Sequence, residues 1–258
     1  MAQFYPFRSR RKYSQSEGVN FERTWWVKCE ALGKSRDPDE APYLMANEWI
    51  SGSIAQFLRL PIPAFALLCK KTKSTAMFCS YSYEGDTSPE DVDPDILYAK
   101  YPQLCTGITV FDMLVVNCDR HGGNIKVDDP IRPELVHVFD HSHALFNVYP
   151  KEGIQRLKSR EDRLGIANGP ESRDEFHCLF ELLDSLEHMR YWVKRIADIP
   201  DWFIDDICSD ARHCGVTPTE CAAVAAFLKE RKRKLPNLIV NNKNRFPQID
   251  KTKWELFL

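Results

Sequence analysis

Apolar residues in the middle of the chain recur at helical spacing and then change to short strand-like runs. From Ile108 to Val116 the apolar positions follow the period of a buried helix, and the pattern stops at Asn117. Two short apolar runs follow, Ile125–Val127 and Leu135–Phe139, and both predict strands. The polar residues between these elements therefore predict a site that is built on rigid secondary structure.

The first half of the chain opens with a predicted strand and a predicted helix. The apolar run Phe21–Cys29 predicts a strand with Lys28 near its end, and residues 33–42 predict a charged loop. An apolar stripe over Tyr43–Leu60 predicts a helix that carries Glu48 and stops at a proline. Two further apolar runs predict a hairpin, Ile62–Leu68 and Ala76–Tyr83.

The chain after residue 96 is predicted to be mainly helical outside the central site. Amphipathic patterns predict helices over Asp174–Leu186, Met189–Ile199 and Trp202–Cys208. Thr217-Pro-Thr-Glu220 predicts a capping box that opens another helix. That helix is expected to end at the cations Arg231–Lys234, where positive charge is favourable.

The polar loop in the middle of the chain carries the side chains that phosphoryl transfer requires. It reads Asn117-Cys-Asp-Arg-His-Gly-Gly-Asn124, and Asp140 ends the second short strand. One carboxylate must lie beside the attacking hydroxyl, while an amide and a second carboxylate hold Mg²⁺ against the phosphates. Asp119 and Asn124 have the spacing of the corresponding pair in protein kinases, which favours such a site over a solvated turn.

Lys28 and Glu48 are the candidates for a lysine–glutamate pair that holds nucleotide phosphates. A surface lysine on a strand edge and an exposed helical glutamate remain the alternatives. The chain has no G-x-G-x-x-G motif, so the candidate phosphate loop before this strand is poor in glycine.

Two further residues of the loop, His121 and Asn117, are expected to support the site through hydrogen bonds. His121 is expected to hold the Asp140 carboxylate or a backbone carbonyl. The alternative is that His121 and His141 are both packing residues.

Composition excludes several classes of protein. The 258 residues are 43% apolar, which suits one large domain or two lobes that share a cleft. The net charge of −2 gives no reason to expect nucleic-acid binding. No apolar run is long enough to predict membrane insertion, and the first residues lack the apolar segment of a secretory signal. The nine cysteines form no C-x-x-C pair, which predicts reduced thiols in a cytoplasmic protein and argues against structural zinc.

These motifs together resemble the HipA-like kinases. The similarity runs from about Glu22 to about Leu238, and it is to a short form without the N-terminal subdomain of the longer toxin-type members. The matching pieces are Trp26-Val-Lys28, Asn47-Glu48, Leu60-Pro-Ile-Pro63, Asn117-Cys-Asp-Arg-His-Gly-Gly-Asn124 and Phe139-Asp-His141.

The resemblance implies an α+β, two-lobed protein-kinase-like fold with a small β-rich N-lobe and a mainly helical C-lobe. Residues 1–20 would form an N-terminal extension with the candidate phosphate loop, residues 21–90 the N-lobe and residues 91–258 the C-lobe. The implied activity is ATP- and Mg²⁺-dependent phosphotransfer to Ser or Thr of a protein substrate.

Site roles carried over by position make Asp119 the catalytic base, Asn124 and Asp140 the metal ligands, and Lys28 the phosphate-binding lysine. Two alternatives stay open. D-R-H-x-x-N also marks phosphoinositide kinases, so the chain could act on a lipid or a small molecule. It could also be a nucleotide-binding pseudokinase that serves as a partner-binding module.

Overall fold

Five strands occupy the amino-terminal part of the computed structural model, which describes residues 7–12, 25–29, 31–70, 73–81, 92–149, 152–165 and 176–257. The first two strands pair with each other, and the next three form an antiparallel sheet with the fifth strand in the centre. The predicted hairpin is confirmed as the fourth and fifth strands. The strands are β1 (Phe7–Lys12), β2 (Trp25–Cys29), β3 (Ala31–Ser35), β4 (Phe65–Lys70) and β5 (Lys73–Tyr81).

Strand β3 corrects the loop that was predicted from residue 33 onward. Gly33 pairs with Cys79 and Ser35 with Met77 of the central strand. A Cβ atom on Gly33 would lie 2.4 Å from the Met77 sulfur, so a glycine lets the two strands approach here. The error arose because β3 is an edge strand with mostly exposed residues, and its charged composition is also that of a loop.

The first helix, α1 (Leu44–Phe57), confirms the predicted helix and lies between the sheet and the helical part of the molecule. Tyr43, just before it, donates its hydroxyl to Glu220 at 2.7 Å. Trp49 donates its indole N–H to the carbonyl of Ile207 at 3.1 Å. Helix α1 is surrounded, so it buries polar residues that need partners inside the protein.

Six further helices make up the carboxyl-terminal part of the described chain. The central one, α3, is buried from Cys105 to Val115. Its Gly107 lets Trp192 pack directly on the helix, because a Cβ atom there would lie 2.2 Å from the indole ring. The helices are α2 (Pro94–Lys100), α3 (Pro102–Val115), α4 (Gly153–Ser159), α5 (Leu186–Ala197), α6 (Asp201–Asp210) and α7 (Pro218–Asn241).

Helix α7 opens on the predicted capping box but runs past its predicted end. The Thr217 hydroxyl accepts the Glu220 N–H at 3.2 Å, and the Glu220 carboxylate accepts the Thr217 N–H at 2.8 Å. The helix continues through Pro236 to Asn241. Arg231 does not complement the helix dipole, because it is fully buried and donates to backbone carbonyls of the segment after α4.

The helix predicted over Asp174–Leu186 is wrong. Residues 174–175 lie outside the described residues, and the chain then forms strand β9 (Phe176–His177), a 3₁₀ turn and, from Leu186, helix α5. The His177 ring accepts the Leu179 N–H at 3.2 Å, so this side chain takes up a backbone donor that a helix would have used. Phe180, Leu183 and Leu186 are buried as an apolar face would be, but no continuous α-helix joins them.

The predicted strands around the central site are confirmed. Strand β7 (Ile125–Val127) pairs antiparallel with β8 (Val136–Val138). The Val138 N–H donates to the carbonyl of Pro61 at 2.8 Å, which joins this ribbon to the segment after α1. A two-residue strand, β6 (Asp119–Arg120), pairs parallel with β9.

Among the helices of the described residues, none combines the length and apolarity needed to cross a membrane.

Candidate active site

The central loop, residues 117–124, begins at a strained turn after α3. Val116 has a φ of 54°, which is unfavourable for a β-branched residue, and its N–H bonds to the carbonyl of Asp112. The Asn117 N–H donates to the same carbonyl at 2.9 Å. Gly165 covers this turn, since a Cβ atom there would lie 2.2 Å from a Val116 methyl. The helix end and the packing above it therefore direct the chain into the loop.

Arg120 anchors the central loop to the protein interior. Its side chain is fully buried and donates to both carboxylate oxygens of Asp112, at 2.8 and 3.1 Å. Its remaining nitrogen donates to the carbonyl of Asn124 at 3.3 Å and to that of Phe139 at 2.5 Å. Arg120 thus ties the loop to the residue that precedes Asp140, which brings the two halves of the predicted site together.

Asp112 lies at the centre of this buried network. Asn117 donates its side-chain N–H to Asp112 at 3.1 Å. His177 lies 3.1 Å from Asp112 through Nε2, and its Nδ1 accepts a backbone N–H, so Nε2 carries the proton and donates. Burial opposes the charge of Asp112, but Arg120 and His177 outweigh it and hold the pKa of this carboxyl well below its usual range.

Asp119 and Asn124 belong to the loop that this buried network holds. The Asn124 amide is buried and donates to the backbone carbonyl of Asp119 at 2.8 Å. The Asp119 side chain is 42% exposed, and its carboxylate lies 3.6 Å from Nε2 of His143. This carboxylate is accessible to an incoming hydroxyl group. His143 was missed in the sequence, where only its place three residues after Asp140 pointed to it.

Lys34, which the sequence did not single out, engages Glu48 in the structure. Lys34 Nζ lies 2.5 Å from Glu48 Oε1 and 3.0 Å from Asp140 Oδ1. The side chain of Lys28 lies outside the described residues, so its predicted pairing with Glu48 stays a prediction. Lys34 was overlooked in the sequence because it was assigned to a loop, whereas it stands on strand β3.

The charges of this triad stabilise one another. Burial disfavours the ammonium of Lys34, but Glu48 and Asp140 outweigh it and raise its pKa. Burial also disfavours the Glu48 carboxylate, yet His141 and Lys34 lower its pKa. The Asp140 carboxyl is likewise held well below its usual pKa by Lys34 and the Ser142 hydroxyl, against the effect of burial. All three groups are therefore charged near neutral pH.

The two histidines that follow the site aspartates differ from each other. His121 is exposed. The hydrogen bonds that hold the region of Asp140 in the described residues come from Arg120, which donates to the Phe139 carbonyl, and from the Ser142 hydroxyl, which donates to Asp140. His141 is buried against the Phe111 ring at 5.6 Å, and its backbone N–H donates to Glu48 at 3.1 Å. His141 is thus a packing residue that also orients Glu48.

Asp140 and Asn124 offer a donor set that suits Mg²⁺. Asp140 Oδ1 accepts the Ser142 hydroxyl at 2.7 Å and pairs with Lys34, while Oδ2 has no hydrogen bond among the described residues. Asn124 turns its amide nitrogen to Asp119, so its oxygen faces away from that carbonyl. No cluster of three His, Cys, Asp or Glu side chains that could hold a metal occurs in the described part of the chain. One carboxylate, one amide oxygen and substrate phosphates are a common arrangement for Mg²⁺.

A cavity of about 200 Å³ lies beside the triad. Its rim is charged, with Lys34, Glu48, Asp140 and Lys126. Its walls are apolar and come from the sheet and from strand β8 and the segments beside it: Leu32, Ile62, Phe65, Phe78, Val138 and Phe139. An apolar cavity with two lysines beside it suits a flat base that carries phosphates. Ser80 and Tyr81 also line the cavity.

Comparison with known proteins supplies a fold. No family model matches the chain, and no curated protein matches it. Among solved structures, it is similar to the proinflammatory kinase CtkA of Helicobacter pylori, with a TM-score of 0.52 and 16% identity over 87% of this chain and 89% of that chain. A chain of the Shewanella oneidensis MR-1 toxin–antitoxin complex of HipA, HipB and operator DNA matches with a TM-score of 0.36 and 10% identity, over 92% of this chain and 58% of that chain.

At these identities the likeness concerns the fold. The helical carboxyl-terminal part, the small antiparallel sheets and the superposition on CtkA agree with the fold class that was predicted. The chain has an α+β, two-lobed fold similar to that of CtkA, with a small β-rich lobe and a mainly helical lobe.

Proposed function

We propose that this chain is an ATP- and Mg²⁺-dependent phosphotransferase that acts on Ser or Thr of a protein. The observation that carries the proposal is that two candidate parts of one site are held together. Lys34, Glu48 and Asp140 pair beside an apolar cavity, and Arg120 joins the residue before Asp140 to the loop of Asp119 and Asn124. The kinase-like fold supports this reading.

The cleft divides the proposed work between two lobes. We take residues 21–90 as the lobe that covers the nucleotide and residues 91–258 as the lobe that carries the catalytic loop. The apolar walls would hold the base, and the ammonium of Lys34 would bind phosphate oxygens at the rim. Glu48 keeps Lys34 in place for this task, because its carboxylate is buried and fixed by His141.

Asp119 would act on the acceptor. Its accessible carboxylate would accept the proton of the Ser or Thr hydroxyl as that oxygen forms its bond to the γ-phosphorus and the bond to the bridging oxygen of ADP breaks. Asp140 and Asn124 would hold Mg²⁺, which supplies positive charge to the phosphates when bound. The hydrogen bond from the Asn124 amide to the Asp119 carbonyl would fix the position of the metal ligand relative to the base.

A comparison of two aspartate variants tests these roles. Asp119→Asn should bind Mg·ATP normally, with a turnover lowered by about 10²–10⁴-fold, the usual cost of losing a catalytic base. Asp140→Asn should lose Mg²⁺-dependent nucleotide binding itself. Titration of Mg·ATP and measurement of ADP release would separate the two effects, with Asp206→Asn on the exposed face of α6 as a matched control.

Mass spectrometry of the products would identify the acceptor. Phosphorylated Ser or Thr on a protein supports the proposal, and a phosphorylated lipid or small molecule would replace that part of it. Nucleotide binding without transfer would make the chain a pseudokinase. Equal loss of nucleotide binding in both aspartate variants would contradict the division of roles.

A further inference from the structure

Three residues at and after β8 have a left-handed backbone. They are Asp140, with a φ of 58°, Leu145 with 43° and Asn147 with 64°. Such values are costly for a bulky residue such as Leu145 and persist only where the surroundings hold them. We call residues 141–147 the clasp turn, because they close against helix α1. The candidate metal ligand Asp140 immediately precedes the clasp turn.

The buried amide of Asn47 contacts the clasp turn at three places. Its side-chain nitrogen donates to the carbonyl of Ser142 at 2.7 Å and to that of Asn147 at 3.2 Å. Its side-chain oxygen accepts the N–H of Phe146 at 3.3 Å. Asn47 is 0% exposed. Both hydrogens and the oxygen of its amide therefore bond to the clasp turn rather than to water.

The next residue of α1 holds the other end of the turn. Glu48 accepts the backbone N–H of His141 at 3.1 Å, while its second oxygen pairs with Lys34. Successive helical side chains point about 100° apart, which lets this pair reach both ends of the same turn. Both ends of the clasp turn are therefore attached to helix α1.

We propose that Asn47 is a positioning residue for Asp140. Its amide fixes the clasp turn, and the fixed turn maintains the left-handed backbone that presents the Asp140 carboxylate to the cleft. Asn47 touches neither nucleotide nor metal in this scheme. The inference rests on the proposed function, since it requires Asp140 to be a metal ligand.

Two variants of Asn47 and one control on the same helix test the inference. Asn47→Asp keeps the shape but loses both N–H donors, and Asn47→Ser keeps a single hydroxyl donor. Trp49→Phe removes a different hydrogen bond of α1, the one to Ile207. Hydrogen exchange without any ligand should show faster exchange of the clasp turn in the Asn47 variants and wild-type exchange in Trp49→Phe.

Mg²⁺ dependence is the readout that a purely structural role would not change. Loss of a residue that supports a metal ligand typically weakens metal affinity about 10–100-fold. The Mg²⁺ concentration for half-maximal turnover should rise by about that factor in the Asn47 variants, and excess Mg²⁺ should restore part of the turnover. Excess Mg²⁺ should not rescue Asp140→Asn, and Trp49→Phe should keep the wild-type requirement.

Each remaining outcome is decisive. Faster exchange of the turn with an unchanged Mg²⁺ requirement would overturn the positioning role while leaving the proposed function intact. Failure of the wild-type protein to bind Mg·ATP would overturn the proposed function, and the inference with it. Should Asn47→Asp not fold, Asn47→Ser decides the question, because its hydroxyl can replace one of the lost donors.

Discussion

Two clusters of charged side chains in this molecule differ in what surrounds them. The Asp112–Arg120–His177 cluster is completely inaccessible to solvent, and all three guanidinium nitrogens of Arg120 donate to the protein. In the Lys34–Glu48–Asp140 cluster, the side chains of Lys34 and Asp140 are 33% and 35% exposed. In the first cluster the hydrogen-bond donors of Arg120 are taken up by the protein itself. In the second cluster the partly exposed charges of Lys34 and Asp140 can also contact a ligand.

This difference explains why similar residue types carry different roles. A buried charge must be matched by permanent partners, since an unmatched one is expensive to hold away from water. A charge at the rim of a cleft can exchange one partner for another. The closed cluster, Asp112–Arg120–His177, therefore fixes the position of the loop. The open cluster, Lys34–Glu48–Asp140, is the one that can bind a ligand.

The largest expected effect comes from breaking the closed cluster. Arg120→Ala leaves the Asp112 carboxylate buried without its main partner, and the usual loss for such a change is about 3–5 kcal/mol in the free energy of unfolding. Arg233→Ala, which breaks an exposed pair with Asp201, should cost no more than about 1 kcal/mol. Urea unfolding of both variants checks the comparison. Similar losses in the two would mean that burial does not set the value of these pairs.

The open cluster should respond in activity more than in stability. Lys34→Met removes a cation that would contact phosphates, and loss of one such group costs about 10²–10³-fold in rate. Lys28→Met is the matched variant, because the sequence alone favoured Lys28 for the same role. Steady-state kinetics with Mg·ATP would rank the two lysines. A larger loss in Lys28→Met would show that the assignment of Lys34 is wrong.

Acidification should weaken the folded state through buried groups before it affects the cleft. Burial lowers the pKa of His137 from 6.5 to about 4, so its stabilising contribution is complete above about pH 6.5 and is lost as the pH falls towards 4. This loss amounts to at most roughly 3 kcal/mol. Unfolding measured between pH 7.5 and 4.5 should show a smaller dependence in His137→Gln. The exposed His213→Gln should follow the wild type, and a wild-type slope in His137→Gln would rule out this source.

The smallest expected effect concerns the histidine beside the candidate base. His143 lies 3.6 Å from Asp119 with both side chains partly exposed, and such a pair is worth about 0.2–1 kcal/mol. His143→Ala should therefore lower kcat by less than about tenfold, with little change in Mg·ATP binding. His121→Ala, at an exposed position, should leave kcat unchanged. The reverse order would return the supporting role to His121, as the sequence suggested.

Much of the fold was determined by local sequence signals. The helical period of Ile108–Val116, the capping box at Thr217 and the short apolar runs of β7 and β8 each specify an element with few alternatives. Local spacing likewise singled out Asp119, Asn124 and Asp140 as candidate site residues. These features depend on neighbours in the chain, which is why the sequence alone was sufficient for them.

Only the tertiary structure decided which residues support the site. Lys34 contacts Glu48 and Asp140 because an edge strand, a helix and a distant turn converge, and no local pattern distinguishes it from Lys28. Arg120, Asn47 and Arg231 belong to residue types that are common at protein surfaces. All three can be buried here because backbone carbonyls or carboxylates of other segments accept their hydrogen bonds. Burial and partnership of polar groups are properties of the assembled fold, since the partners lie far apart in the chain until packing brings them together.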